Sequence, residues 1–104
     1  MTFTVVFSAS AKADLFAIYD YIVDRAGERI ALRFVESIEA YCQGFADIPE
    51  RGTRRDDLRP GLRTVGFRRR ATILFEVDRK TRHVIIHGIY YAGRRLPIFE
   101  PDEE

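Results

Sequence analysis

Hydrophobic positions in this chain change period as one reads along it, and each change marks an element. Thr2 to Phe7 alternates, with Phe3, Val5 and Phe7 on one side, which predicts a short first strand. Ser8 stands where a helix N-cap would, and from Ala9 the spacing becomes helical: Ala11, Leu15, Ile18, Tyr19 and Ile22 form one apolar stripe, with Gly27 as its stop. A second stripe follows at once. Ala31, Phe34, Val35, Ile38, Tyr41, Cys42 and Phe45 recur at intervals of three and four, and Pro49 ends the run. Two amphipathic helices joined near Gly27 predict an antiparallel hairpin, with Phe34, Ile38 and Phe45 facing Leu15, Ile18 and Ile22.

Residues 48–61 read as a loop punctuated by Pro49, Gly52, Pro60 and Gly61. Pro60 pre-sets φ and Gly61 tolerates a positive φ, so Arg59-Pro60-Gly61-Leu62 suits a type II turn. Strands are predicted at about 62–67, 70–78 and 82–91, the last two joined by a turn at Asp78-Arg79-Lys80-Thr81. In the middle strand Ala71, Ile73, Phe75 and Val77 share one face, and Thr72, Leu74 and Glu76 the other. The final strand is apolar on both faces around Val84–Ile86, which predicts an interior position in the sheet. The order β-α-α-β-β-β is that of an α+β domain spanning residues 1–104, a helical hairpin packed on a small antiparallel sheet. The tail from Ile98 to Glu104 ends acidic and is expected to be mobile.

The net charge of +1 conceals an asymmetry: residues 1–50 sum to −4, residues 51–82 to +7 and residues 83–104 to −2. Of the 17 basic residues only Lys12 and Lys80 are lysines. Arginine suits planar, bidentate recognition of phosphate or carboxylate, though a solvated basic face accounts for the composition equally well. One cysteine excludes an internal disulfide, no apolar run is long enough to span a bilayer, and no signal-peptide pattern opens the chain. The expectation is a soluble cytoplasmic protein with no membrane contact.

Few residues invite chemistry. His83 and His87 would lie roughly 13 Å apart along a strand, too far to share a metal. Cys42 sits inside a helix stripe and reads as a small buried hydrophobe. Asp56-Asp57 reads as a pair capping the Pro-Gly turn or pairing with neighbouring arginines, ahead of acid–base work. Tyr90 and Tyr91 could stack or donate a proton, with one of them expected in the core. The strongest candidates are arginines: Arg59 and Arg63 around the turn, and Arg68, Arg69 and Arg70 between two strands. If they share a face they would bind nucleic-acid phosphates or an acidic protein segment. No phosphate loop, nucleophile elbow or zinc motif appears, so neither cofactor nor metal is expected.

Three segments carry a resemblance. Ser8-x-x-Ala11-x-x-Asp14-Leu15, Ile18-x-Asp20-Tyr21-Ile22 and Ala31-x-Arg33-Phe34 resemble the helical half of the ParE toxins in the RelE/ParE superfamily. Arg55-Asp56-Asp57-Leu58-Arg59-Pro60-Gly61-Leu62-Arg63 is similar to the loop that marks that family, and Ile89-Tyr90-Tyr91-Ala92-Gly93-Arg94-Arg95-Leu96-Pro97 to its last strand and exit. The resemblance implies the toxin half of a toxin–antitoxin pair, a hetero-oligomer with a ParD-like antitoxin that touches DNA only through that antitoxin. ParE-like toxins are associated with inhibition of DNA gyrase, and RelE-like ones with mRNA cleavage on the ribosome by basic sheet residues and a terminal Tyr or His.

The departures bear on that choice. Arg69-Arg70 replaces the usual Gly-Arg, Phe75-Glu76 the Tyr-Arg, Gly88 an Arg, and Arg94-Arg95 an Arg-Asp. Loss of the strand arginine at Gly88 removes charge stabilisation that a nuclease needs at the scissile phosphate. The leading expectation is a gyrase-directed toxin with Arg59, Arg63, Arg68, Arg69 and Arg70 meeting the target. The alternatives are an mRNA endonuclease using Arg63, Arg70 and Tyr91, or an inactive toxin kept as a repressor-complex partner.

Overall fold

The computed structural model describes residues 2–91. Strand β1 (Thr4–Phe7) leads into helices α1 (Ala9–Ala26) and α2 (Glu28–Gln43), and a single 3-10 turn at Gly44–Ala46 follows. Strands β2 (Thr53–Arg54), β3 (Leu62–Phe67), β4 (Ala71–Asp78) and β5 (His83–Tyr91) complete a five-stranded sheet in the order β1-β5-β4-β3-β2. The helical hairpin covers one face of it. No helix among the described residues is long and apolar enough to cross a membrane.

Local chemistry sets the helix ends as the sequence implies. The Ser8 hydroxyl accepts from the Ala11 N–H at 3.1 Å, satisfying one of the free donors of the first turn. Gly27 at φ +92° both stops α1, its N–H donating to the Val23 carbonyl, and starts α2, its carbonyl accepting from Ala31. One residue in a conformation closed to most side chains therefore makes the whole connection. The stripes then meet. Ala11, Leu15, Ile18 and Ile22 pack with Ala31, Ile38, Cys42 and Phe45 over the sheet residues Ala71, Ile73, Phe75, Val84, Ile86, Ile89 and Tyr91. Phe34 lies at the margin, half-buried, with ring centroids 6.0 Å from Phe67 and 5.3 Å from Tyr91.

Several details depart from the sequence expectation. The sheet is mixed, because β1 runs parallel to β5 from Thr4↔His83 to Phe7↔Ile86 while the other pairs are antiparallel. The first strand starts at Thr4, and α2 ends at Gln43, well before Pro49. The chain tightens there into the 3-10 turn that carries Phe45, which has no exposed surface, into the core. Strand β2 falls within the segment expected as loop, because its two polar residues show no alternation. It is held in place by Gly52 at φ +75°, where a Cβ would stand 2.2 Å from the Thr64 carbonyl oxygen. Arg70 and Arg82 belong to turns and not to strands. The acidic tail from Ile98, and the Ala92–Pro97 exit, lie outside the described residues.

Strand β5 is interior, as expected, and carries a bulge. Its register with β4 steps from Phe75↔Ile86 to Leu74↔Gly88, so His87 has no partner of its own. Strand β1 stops opposite Ile86, and beyond that point α1 takes over the free edge. The Ser8 N–H donates to the Ile86 carbonyl at 3.0 Å, the Ser8 hydroxyl to the His87 carbonyl at 3.3 Å, and the Ile89 N–H to Asp14 Oδ2 at 2.8 Å.

Removing the Phe45 ring from this dry site should cost about 3–5 kcal/mol. At about 4 °C or more per kcal/mol for a domain of this size, Phe45→Ala should lower the thermal midpoint by more than about 12 °C. Phe16→Ala, at a side chain 73% exposed, should move it little. Circular dichroism melts of the two variants check both statements.

Candidate target-binding surface

A three-residue link, Arg68 to Arg70, joins β3 to β4. Arg68 (φ 51°) and Arg69 (φ 59°) are the two central residues of its turn, closed by the Arg70 N–H donating to the Phe67 carbonyl at 3.0 Å. Two positive φ values match the right-handed twist of the flanking strands, but such turns favour Asn-Gly. Left-handed backbone costs an ordinary L-residue about 1–2 kcal/mol, so two arginines hold this turn against their own preference. All three guanidiniums are exposed, and none pairs with a carboxylate among the described residues. Arg68 lies over the Phe67 ring, 4.9 Å from its centroid.

Beside the tip, a cavity of about 380 Å³ is lined by Arg70, Tyr91, Tyr21, Phe34 and Arg25. Arg25, in the last turn of α1, stacks over Tyr21 at 3.7 Å and donates to the Tyr21 carbonyl at 3.2 Å. Its partnership with Arg70 was not readable from sequence, where 45 residues separate them. Its place in a last helical turn, where a cation complements the helix dipole, says nothing of the sheet beside it. Tyr91 is core, in edge contact with Tyr21 at 5.6 Å and Phe34 at 5.3 Å.

The remaining arginines of the expected cluster lie elsewhere. Arg63 stands near the start of β3, roughly 17 Å along the strand from Arg68. It is half-buried and its Nε donates to the Arg51 carbonyl at 2.9 Å, holding the 48–61 loop. Arg59 reaches Glu76 at 3.4 Å. Carboxylates interleave this end of the molecule. A polar cavity of about 300 Å³ is lined by Glu50, Arg54, Asp56, Arg63 and Arg79, with Arg54 paired to Asp56 at 3.5 Å and Arg79 to Glu50. Asp56 also accepts from the Gly61 N–H at 3.1 Å, and Arg55 makes two 2.9 Å bonds to Asp57 that hold its carboxyl below the ordinary range. The aspartate pair thus serves the turn, as its spacing implied.

On the sheet face turned away from the helices, His87 Nε2 meets Glu76 Oε1 at 2.9 Å, on the same carboxylate that takes Arg59. Tyr90 is buried on this side. Burial first and the Asp14 carboxylate second raise its phenol pKa, with Arg55 opposing, so the hydroxyl stays protonated at neutral pH. Among the described residues no three His, Cys, Asp or Glu side chains converge as a metal site would require. Burial, then the charge of Glu39, pushes the Cys42 thiol up to about 12. A further surface was unforeseen. Between α1 and α2 runs an apolar groove of about 650 Å³ floored by Phe7, Leu15, Phe16, Tyr19, Leu32 and Val35, with Asp20, Glu36 and Glu39 on its rim.

The profile of the ParE toxin of the type II toxin–antitoxin system parDE matches residues 5–95. The chain belongs to the ParE toxin family. Solved structures agree. The chromosomal ParDE toxin–antitoxin system from P. aeruginosa shares 27% identity and a TM-score of 0.74 over 86% of this chain and 96% of that one. The toxin–antitoxin complex RelBE2 from Mycobacterium tuberculosis, at 18% identity, shares the fold, with a TM-score of 0.67 over 90% and 95% of the two chains. No curated protein sequence matches. The three sheet residues by which the chain departs from the resemblance, Phe75, Glu76 and Gly88, each have a structural place. Phe75 is fully buried and Glu76 anchors Arg59 and His87, while Gly88 sits in the bulge.

With its pKa near 12, Cys42 should resist alkylation at pH 8 in the folded toxin and react once denaturant exposes it. The sign for stability follows. An unfolded thiol loses its proton near pH 8.5 and the folded one does not, so stability contributed by the neutral thiol is full below that value and declines as pH rises towards 12. Iodoacetamide labelling with and without urea, followed by mass spectrometry, checks the reactivity.

Proposed function

We propose that this toxin acts in the cytoplasm on a gyrase-type protein–DNA target, and that a ParD-like antitoxin neutralises it. The observation that carries the reading is that Arg63 stands apart from Arg70 and Tyr91, which line one cavity but leave it without the third group a nuclease would need. Cleavage of one phosphodiester requires a general base, a general acid and a cation around a single phosphate. Arg63 is engaged with the Arg51 carbonyl at one end of β3, Arg70 stands beyond the other, and Tyr91 is packed among aromatic rings. Glu76 places a carboxylate, already shared by Arg59 and His87, where a ribonuclease would want free positive charge. An inhibitor that docks on an assembly needs shape and charge, which the arginine tip supplies.

In this reading the antitoxin docks on the helical hairpin. Phe16 at 73% and Leu32 at 51% exposure leave an apolar groove that an amphipathic segment of a partner can cover. That reading accords with the solved relatives, both of which are toxin–antitoxin systems.

Two assays on the purified toxin decide the target. Supercoiling by gyrase should slow with added toxin, and Arg70→Ala should weaken the effect several-fold while leaving the thermal midpoint close to the parent's. Codon-specific mRNA cleavage in a translating extract, with supercoiling untouched, would replace this reading with the nuclease one.

A further inference from the structure

We propose that the β3–β4 tip, with Arg25 beside it, is a direct contact for the phosphate backbone of duplex DNA. This rests on the reading above only in taking the arginine end as the working surface. Three observations converge. Arg68, Arg69 and Arg70 are exposed without carboxylate partners among the described residues, whereas Arg54, Arg55, Arg59 and Arg79 are each paired. Two of the three occupy left-handed positions where Asn-Gly would be easier, so the turn keeps charge in preference to comfort. Arg25 joins Arg70 in the lining of one cavity, its guanidinium stacked on the Tyr21 ring, which widens the basic surface from a turn to an end of the molecule.

The shape decides how DNA is met. Strand β5 pairs with β4 as far as Tyr91, opposite Ala71, so among the described residues only the turn extends past the paired strands. A longer two-stranded ribbon could enter the major groove and read bases. This blunt tip can reach phosphates only, which fix position without reading sequence. An arginine fork suits phosphate oxygens, and counterions released by each neutralised phosphate drive the association.

The test uses the toxin and a fluorescent 20-base-pair duplex alone, with gyrase absent, so its outcome is separate from that of the supercoiling assay. Four phosphate contacts imply that raising salt from 50 to 200 mM weakens binding about 150-fold, whatever the duplex sequence. Arg68→Asn with Arg69→Gly suits the turn better and should match or exceed the parent's thermal midpoint. It should retain about a 12-fold salt effect, the value for two contacts. Arg70→Gln, which leaves the two left-handed positions alone, should fall between them, and Lys80→Gln in the β4–β5 turn at the far end should behave as the parent. Binding indifferent to salt, a tip variant with the parent's salt dependence, or preference for a polyglutamate peptide over the duplex would each overturn the proposal, the last by assigning the tip to an acidic protein.

Discussion

The bulge in β5 is the constraint on which the rest of this structure depends. Strict alternation from Val84 and Ile86 would send Gly88 and Tyr90 towards the helices. The extra residue at His87 resets the phase, so Ile89 and Tyr91 enter the core and Tyr90 turns to the opposite face. A bulge leaves backbone groups unpaired, and here α1 satisfies them through Ser8 and Asp14. The same bonds fix where α1 crosses the sheet. With α1 placed, Gly27 returns α2 beside it, and Arg25 comes to stand over Tyr21 next to Arg70. The cavity at the arginine end is therefore a consequence of one inserted residue in the last strand.

The two basic ends of the molecule differ in kind. Around Arg54, Arg59, Arg63 and Arg79, positive charge is matched by Glu50, Asp56 and Glu76 or spent on a loop carbonyl, and such pairs organise the segment that carries β2. At the tip the charge is unmatched among the described residues and the backbone is held in a costly conformation. Local strain persists where the surrounding structure over-determines it, and the β3–β4 ladder from Leu62↔Glu76 to Phe67↔Ala71 does so here. Exposed surface bonds of the first kind contribute little to stability. Their role is to place a loop.

Much of the fold was legible because it is local. The Ser8 cap, both helix stripes, the facing of Ala71, Ile73, Phe75 and Val77, and the turn in which the Leu62 N–H returns to the Arg59 carbonyl all follow from short-range pattern. The parallel β1–β5 pair was not legible, since Thr4 and His83 carry no mark of each other. Nor was β2, whose two polar residues are held by a glycine contact, nor the bulge, for which His87-Gly88 gives no periodic signal. Arginine content marked residues 51–82 as basic, but the division into an end paired with carboxylates and an end unpaired among the described residues depends on tertiary neighbours. Membership of the toxin family was visible through the loop around Asp56-Asp57-Leu58-Arg59-Pro60-Gly61 and the helical segments. Composition and periodicity alone reached only an α+β domain with a basic third.

On the proposed function, toxicity would reside in the arginine tip, whose charge is unmatched among the described residues, and not in the paired end. Growth after induced expression measures this most directly, comparing the parent toxin with the Arg68→Asn, Arg69→Gly variant and with Arg63→Gln, at matched levels of folded protein. The expected result is arrest by the parent, near-normal growth with the Arg68→Asn, Arg69→Gly variant, and arrest by Arg63→Gln. Arrest by the double variant as complete as the parent's would contradict it.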